Sequence, residues 1–104
     1  MLINYYENGN KFISAHKDCR SSFGDNPTIS LLSIGEKRKF NLERTNNFLM
    51  KRDKSKKYLN KSIELEDNSL FIMAGTVQKY YCHFIEKEPN KRKERYSLTF
   101  RQHF

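Results

Sequence analysis

The sequence predicts an all-β domain of about eight short strands, most simply a jelly roll. Apolar residues alternate instead of recurring at helical spacing, and β-branched and aromatic residues cluster between turn signals. With 6 Tyr and 8 Phe there is enough bulk for a core despite an apolar share of 37%. Another β-sandwich or a small barrel satisfies the same pattern.

Taken in order, Leu2–Tyr6 is the first strand and residues 11–16 the second, joined through Glu7-Asn8-Gly9-Asn10. The Asn-Gly step there suits the left-handed conformations of a hairpin turn. A polar loop over 18–27 precedes strands at 28–34 and 37–42, which flank a Gly35-Glu36 turn. Residues 45–61 lose apolar periodicity and carry Lys51, Arg52, Lys54, Lys56, Lys57 and Lys61, so they read as an exposed basic insertion with room for a short helical turn. Strands at 62–65 and 70–73 surround an Asp67-Asn68 turn, another covers 79–85, and Arg95–Arg101 closes the series after a charged loop containing Pro89.

The 104 residues allow a single domain, 1–104, and show no repeat or linker. The longest apolar stretch, 70–75, is far too short to span a membrane, and the opening Met1-Leu2-Ile3-Asn4 does not resemble a signal peptide, so a soluble intracellular protein is expected, with the compartment left open. Cys19 and Cys82 form no CxxC pattern and read as reduced thiols. The net charge of +8 favours an anionic partner, with nucleic acid first.

His16-Lys17-Asp18 places an imidazole and a carboxylate on one side of an extended chain, where both can reach one ion. His83 is the best third donor, since His103 lies beside the C-terminus. Two His and one carboxylate on one face of an octahedral metal are the ligand set of non-haem Fe(II) oxygenases. An HxD tripeptide or a strand histidine is commonplace, and each alone is more often structural. The last strand shifts the balance: Arg95, Ser97, Thr99 and Arg101 share one face, while Tyr96, Leu98 and Phe100 share the other, read here as the core face. If the polar face looks into a sandwich, its two arginines need an anion, and a dicarboxylate serves. They stand roughly 20 Å apart on a straight strand, so both must lean inward to share one. The competing reading is an edge strand with solvent-exposed arginines.

In order, Asn4-Tyr5-Tyr6, Gly9, His16-Lys17-Asp18, Pro27 to Gly35 with Arg38 and Phe40, Asn68 to Met73, Gln78 to His83 and Arg95 to Arg101 resemble the motifs of AlkB-type 2-oxoglutarate and Fe(II)-dependent dioxygenases. The resemblance covers nearly the whole chain outside the 45–61 insertion. It implies a double-stranded β-helix in which His16, Asp18 and His83 hold Fe(II), the catalytic metal. It also implies that Asn4 and Tyr6 help bind 2-oxoglutarate. Arg95, twelve residues after His83, would pair with the far carboxylate, Arg101 would hold the metal-binding end, and Ser97 would add a hydroxyl where many relatives use Asn. Arginine suits both tasks because its planar fork grips a carboxylate with two charge-assisted bonds.

The activity so implied consumes O2 and 2-oxoglutarate to hydroxylate a C–H bond; on an N-methylated base the product releases formaldehyde, which is DNA repair or RNA demethylation. Protein hydroxylation or demethylation by the same fold is the first alternative, and a catalytically silent, basic nucleic-acid-binding fragment is the second. Many relatives that act on nucleic acid carry an acidic residue where this chain has Arg20, which would grip a substrate phosphate or turn to solvent. Relatives also carry a nucleotide-recognition lid and helices before the Asn-x-Tyr strand, so a truncated or split frame is expected, with one sheet left exposing apolar residues. The basic clusters at 51–61 and 91–93, with Tyr58 between cations, would track a phosphate backbone. Oligomeric state is not legible.

Overall fold

The computed structural model describes residues 1–16, 28–45, 54–74 and 77–101. Its eight strands are β1 (Leu2–Tyr6), β2 (Ile13–His16), β3 (Ile29–Gly35), β4 (Arg38–Arg44), β5 (Lys61–Leu65), β6 (Ser69–Met73), β7 (Tyr81–Ile85) and β8 (Arg95–Arg101). They form two antiparallel four-stranded sheets, ordered β1-β8-β3-β6 and β2-β7-β4-β5. Sequence neighbours alternate between the sheets, as in a double-stranded β-helix, except β4 and β5, which pair within the second. The all-β expectation holds.

The core lies between the sheets. Tyr6, Ile29, Leu31 and Met73 come from the first sheet, and Phe40, Leu42, Leu65 and Ile85 from the second. Period-2 alternation produces this in β3 and β4, where Ile29, Leu31 and Ser33 and then Arg38, Phe40 and Leu42 point inward. Removing side chains of this size from water stabilises by roughly 1.5–3 kcal/mol each.

Several local expectations need correction. Tyr96 and Phe100 are exposed rather than core, because the polar face of β8 is the one that looks inward. Nor is β8 an edge strand, since it pairs with β1 on one side and β3 on the other. The outer face of this sheet consequently displays Ile3, Tyr5, Ile34, Leu70, Ile72, Tyr96 and Phe100, the exposed apolar sheet that the sequence reading anticipated. Residues 79 and 80 are not strand. They close a one-turn helix, α1 (Val77–Tyr80), before β7 begins. In the basic insertion Lys54–Leu59 form a 3₁₀ helix, the short helical turn expected there, but Thr45 at its start is buried rather than exposed.

Gly9 also departs from expectation. Among the described residues only Gly35 and Asn68 have positive φ, at 106° and 58°. Gly9 is demanded by proximity instead: its N–H donates to Lys91 O at 2.8 Å and its carbonyl accepts from Glu88 N–H at 2.7 Å. A Cβ there would lie 1.8 Å from Glu88 O. The β1–β2 connection, which crosses between the sheets instead of closing the expected hairpin, and the β7–β8 loop therefore meet backbone to backbone. No described helix is long and apolar enough to cross a membrane.

Candidate active site

One end of the inter-sheet space is built around two histidines. His16 on β2 stands opposite His83 on β7, with ring centroids 4.2 Å apart and planes at 63°. From Ile13 to His16 is three residues, while their partners Ile85 and His83 are two apart, so β2 carries an extra residue. That bulge turns both Ile13 and His16 inward, which regular alternation would forbid. His16 Nδ1 lies 2.8 Å from Ser14 O. A carbonyl only accepts, so the His16 Nδ1–H is the donor of this bond. His83 is buried, and the Phe40 ring stacks on it at 5.4 Å and 24°.

The facing wall comes from the first sheet. Asn4 pairs with Ser97 and Tyr6 with Arg95 in the β1–β8 ladder. Asn4, Tyr6, His16, His83, Ser97 and Arg101 line one pocket of about 60 Å³, floored by Ile29, Leu31 and Met73. Its mixed apolar and polar lining is that of a small-molecule site. Arg101 stands at the histidine end. Arg95 lies behind the wall, its guanidinium 4.9 Å from the centre of the Tyr6 ring.

Arg95 is fully buried. Its Nη2 donates to Ser33 Oγ at 2.9 Å, whereas Nε and Nη1 have no hydrogen-bond partner. Burial pulls its pKa below the ordinary arginine value, against the pull of Tyr6, and an arginine nonetheless stays charged. Burial likewise pushes the Tyr6 phenol up, opposed by Arg95 and Arg38. Arg38, on the other side of Tyr6, shows the contrast. It is equally buried, but Nε donates to Glu88 at 2.8 Å and Nη2 donates to Lys11 O and Glu86 O, each at 2.8 Å. Arg38 is a satisfied clasp between loops. Arg95 is a buried cation with open donors.

These observations fit the cofactors that the sequence resemblance implies. The unpaired donors of Arg95 match a carboxylate, and His16 Nδ1 is held by a backbone carbonyl, as the outer nitrogen of a ligating histidine usually is. Among the described residues no third His, Cys, Asp or Glu joins the two histidines. Asp18 lies outside the described residues, as do Cys19, Arg20 and His103. Cys82 is a buried free thiol on the strand position beside His83.

Ser33, Phe40 and Arg38 escaped functional assignment from sequence. Ser33 had a usable signal, being a polar residue in the inward series Ile29, Leu31, Ser33. Phe40 had none, because its contact with His83 joins different strands.

Residues 1–101 match the 2OG-Fe(II) oxygenase superfamily. Over 102 residues the chain is 31% identical to alpha-ketoglutarate-dependent dioxygenase alkB homolog 3 of Rattus norvegicus and 32% identical to that of Homo sapiens. Each alignment covers 97% of this chain but 34% and 35% of those proteins. Identity to the DNA oxidative demethylase ALKBH2 of Arabidopsis thaliana is 27% over 114 residues, 36% of that protein. The chain thus spans about a third of the length of these curated relatives.

Proposed function

The chain belongs to the 2OG-Fe(II) oxygenase superfamily, and on that premise we propose that it catalyses oxidative demethylation of alkylated bases in DNA or RNA. One observation carries the reading: His16 and His83 meet at one end of a pocket whose opposite wall holds Asn4, Tyr6, Ser97 and Arg101, with the unsatisfied Arg95 behind it. The name of the Arabidopsis relative supports a nucleic-acid substrate, as does the net charge of +8.

In this reading His16, Asp18 and His83 hold Fe(II), which supplies oxygen activation coupled to breakdown of 2-oxoglutarate. The chain's own residues bind and orient. Arg95 pairs through Nε and Nη1 with the far carboxylate of 2-oxoglutarate, and Tyr6, kept a neutral phenol by burial, contributes a hydroxyl donor there. Arg101, Ser97 and Asn4 fix the other end near the histidines. Ser14 O holds the His16 proton at Nδ1, and Phe40 restrains the His83 ring. Ile29, Leu31 and Met73 exclude water, so each charge-assisted bond acts in a low-dielectric space.

The test is anaerobic addition of Fe(II) and 2-oxoglutarate to the protein. Wild type should develop the visible metal-to-ligand charge-transfer absorption of the chelated pair, Asp18→Ala should not, and aerobic incubation with a methylated oligonucleotide should yield formaldehyde. Absence of both the band and any thermal stabilisation by the pair would leave the nucleic-acid-binding module as the better reading.

A further inference from the structure

At the histidine-bearing end of the second sheet, β4 finishes on Arg44, which faces Tyr81 across the ladder just as Leu42 faces His83. Arg44 is therefore one same-face step, about 7 Å along the strand, beyond the residue opposite His83. Its guanidinium carbon lies 4.3 Å from the centre of the Tyr80 ring and 5.8 Å from that of Tyr81. Lys79 Nζ sits 5.5 Å from the same Tyr80 ring, so two cations converge on one aromatic. The arrangement is anchored. Arg44 N–H donates to Asn60 Oδ1 at 2.7 Å, Thr45 N–H donates to Tyr80 O at 2.7 Å, and the Tyr81 hydroxyl donates to Leu59 O at 3.2 Å.

Among the described residues no carboxylate pairs with Arg44, and its Nε has no hydrogen-bond partner. Stacking occupies the face of a guanidinium and leaves its in-plane N–H groups to be satisfied by an acceptor from outside. The 3₁₀ helix that packs on β4 extends the same chemistry with exposed Lys57 and a Tyr58 that is 77% exposed. A cationic surface interleaved with aromatics matches a sugar-phosphate strand with bases to stack, better than an acidic peptide.

We infer that Arg44, stacked on Tyr80 beside Lys79, is a substrate-contact residue that binds a backbone phosphate of the nucleic-acid strand whose base enters the histidine pocket. This rests on the demethylase reading. Its test is binding of a labelled single-stranded oligonucleotide to the full chain across a salt series, with 2-oxoglutarate-dependent thermal stabilisation measured in parallel. Arg44→Ala should weaken binding several-fold at low salt and reduce the slope of log affinity against log salt by about 0.7, the value for one phosphate contact on a single strand. Arg44→Lys should keep the slope, and every variant should keep its stabilisation by 2-oxoglutarate. Should Arg44→Ala fold poorly, Arg44→Gln, which retains a planar stacking group without charge, reads the same slope. An unchanged slope overturns the inference, and so does a wild type that binds acidic peptide but no oligonucleotide. Loss of 2-oxoglutarate stabilisation in wild type itself counts against the demethylase reading, whereas loss of the slope difference alone counts only against Arg44.

Discussion

Replacing Arg95 with Met removes a guanidinium that is fully buried yet bonded through a single nitrogen, and should separate stability from ligand binding. Without ligand, the substitution gives up the bond to Ser33, about 1.5–3 kcal/mol for a charged donor. It also gives up the stack on Tyr6, about 1–2 kcal/mol. Against these stands the desolvation of a cation whose Nε and Nη1 find no acceptor, a penalty of several kcal/mol. The terms offset, so the ligand-free variant should melt within roughly 8 °C of wild type, the shift that about 1 kcal/mol produces in a domain this small. Binding of 2-oxoglutarate should suffer far more. Two charge-assisted bonds to a carboxylate are together worth about 3–5 kcal/mol, which is roughly two to three and a half orders of magnitude in affinity. Melting curves with and without 2-oxoglutarate and Mn(II), together with titration calorimetry, measure both quantities. A purely structural arginine would instead cost about 3–5 kcal/mol on removal. A melting point lowered by more than about 12 °C, or 2-oxoglutarate affinity retained within about threefold, would refute the reasoning.

Two further outcomes follow from the packing. Gly9→Ala must push apart the β1–β2 connection and the β7–β8 loop, because its Cβ would meet Glu88 O at 1.8 Å; losing both backbone bonds there should cost about 2–4 kcal/mol in urea denaturation, and a change below about 0.5 kcal/mol would contradict the close approach. On the outer face of the first sheet, Ile72→Lys should leave stability within about 0.5 kcal/mol while lowering hydrophobic-dye binding and light scattering, since Ile72 is exposed among Leu70, Tyr96 and Phe100. Unchanged dye binding would show that this face does not act as an apolar patch.

Strand positions were legible because alternation is a local property: Leu2–Tyr6 and Arg95–Arg101 coincide with the residues that the pattern marks. The turn at Asn68 was legible for the same reason, since Asn tolerates the left-handed φ of 58° found there. Residues 79 and 80 read as strand because a single helical turn is too short to display a period of its own. At Gly9 the residue type marked a backbone constraint but not its origin, which lies in a loop some eighty residues further along the chain.

The amino-acid order alone determined which side chains of β8 travel together, with Arg95, Ser97, Thr99 and Arg101 on one side and Tyr96, Leu98 and Phe100 on the other, because successive residues of a strand must alternate. Tertiary structure decided which side looks inward. It put β8 between β1 and β3 with its polar side toward the second sheet, so hydrophobic alternation read alone pointed to the wrong core face. Tertiary structure also set His16 against His83 through a bulge in β2, and it supplied Arg38 with Glu88 and three carbonyls while leaving Arg95 with two open donors. The physical reason is common to all three. Alternation is dictated by bonds within a few residues, whereas facing, register and satisfaction of a buried charge depend on which distant strand arrives alongside.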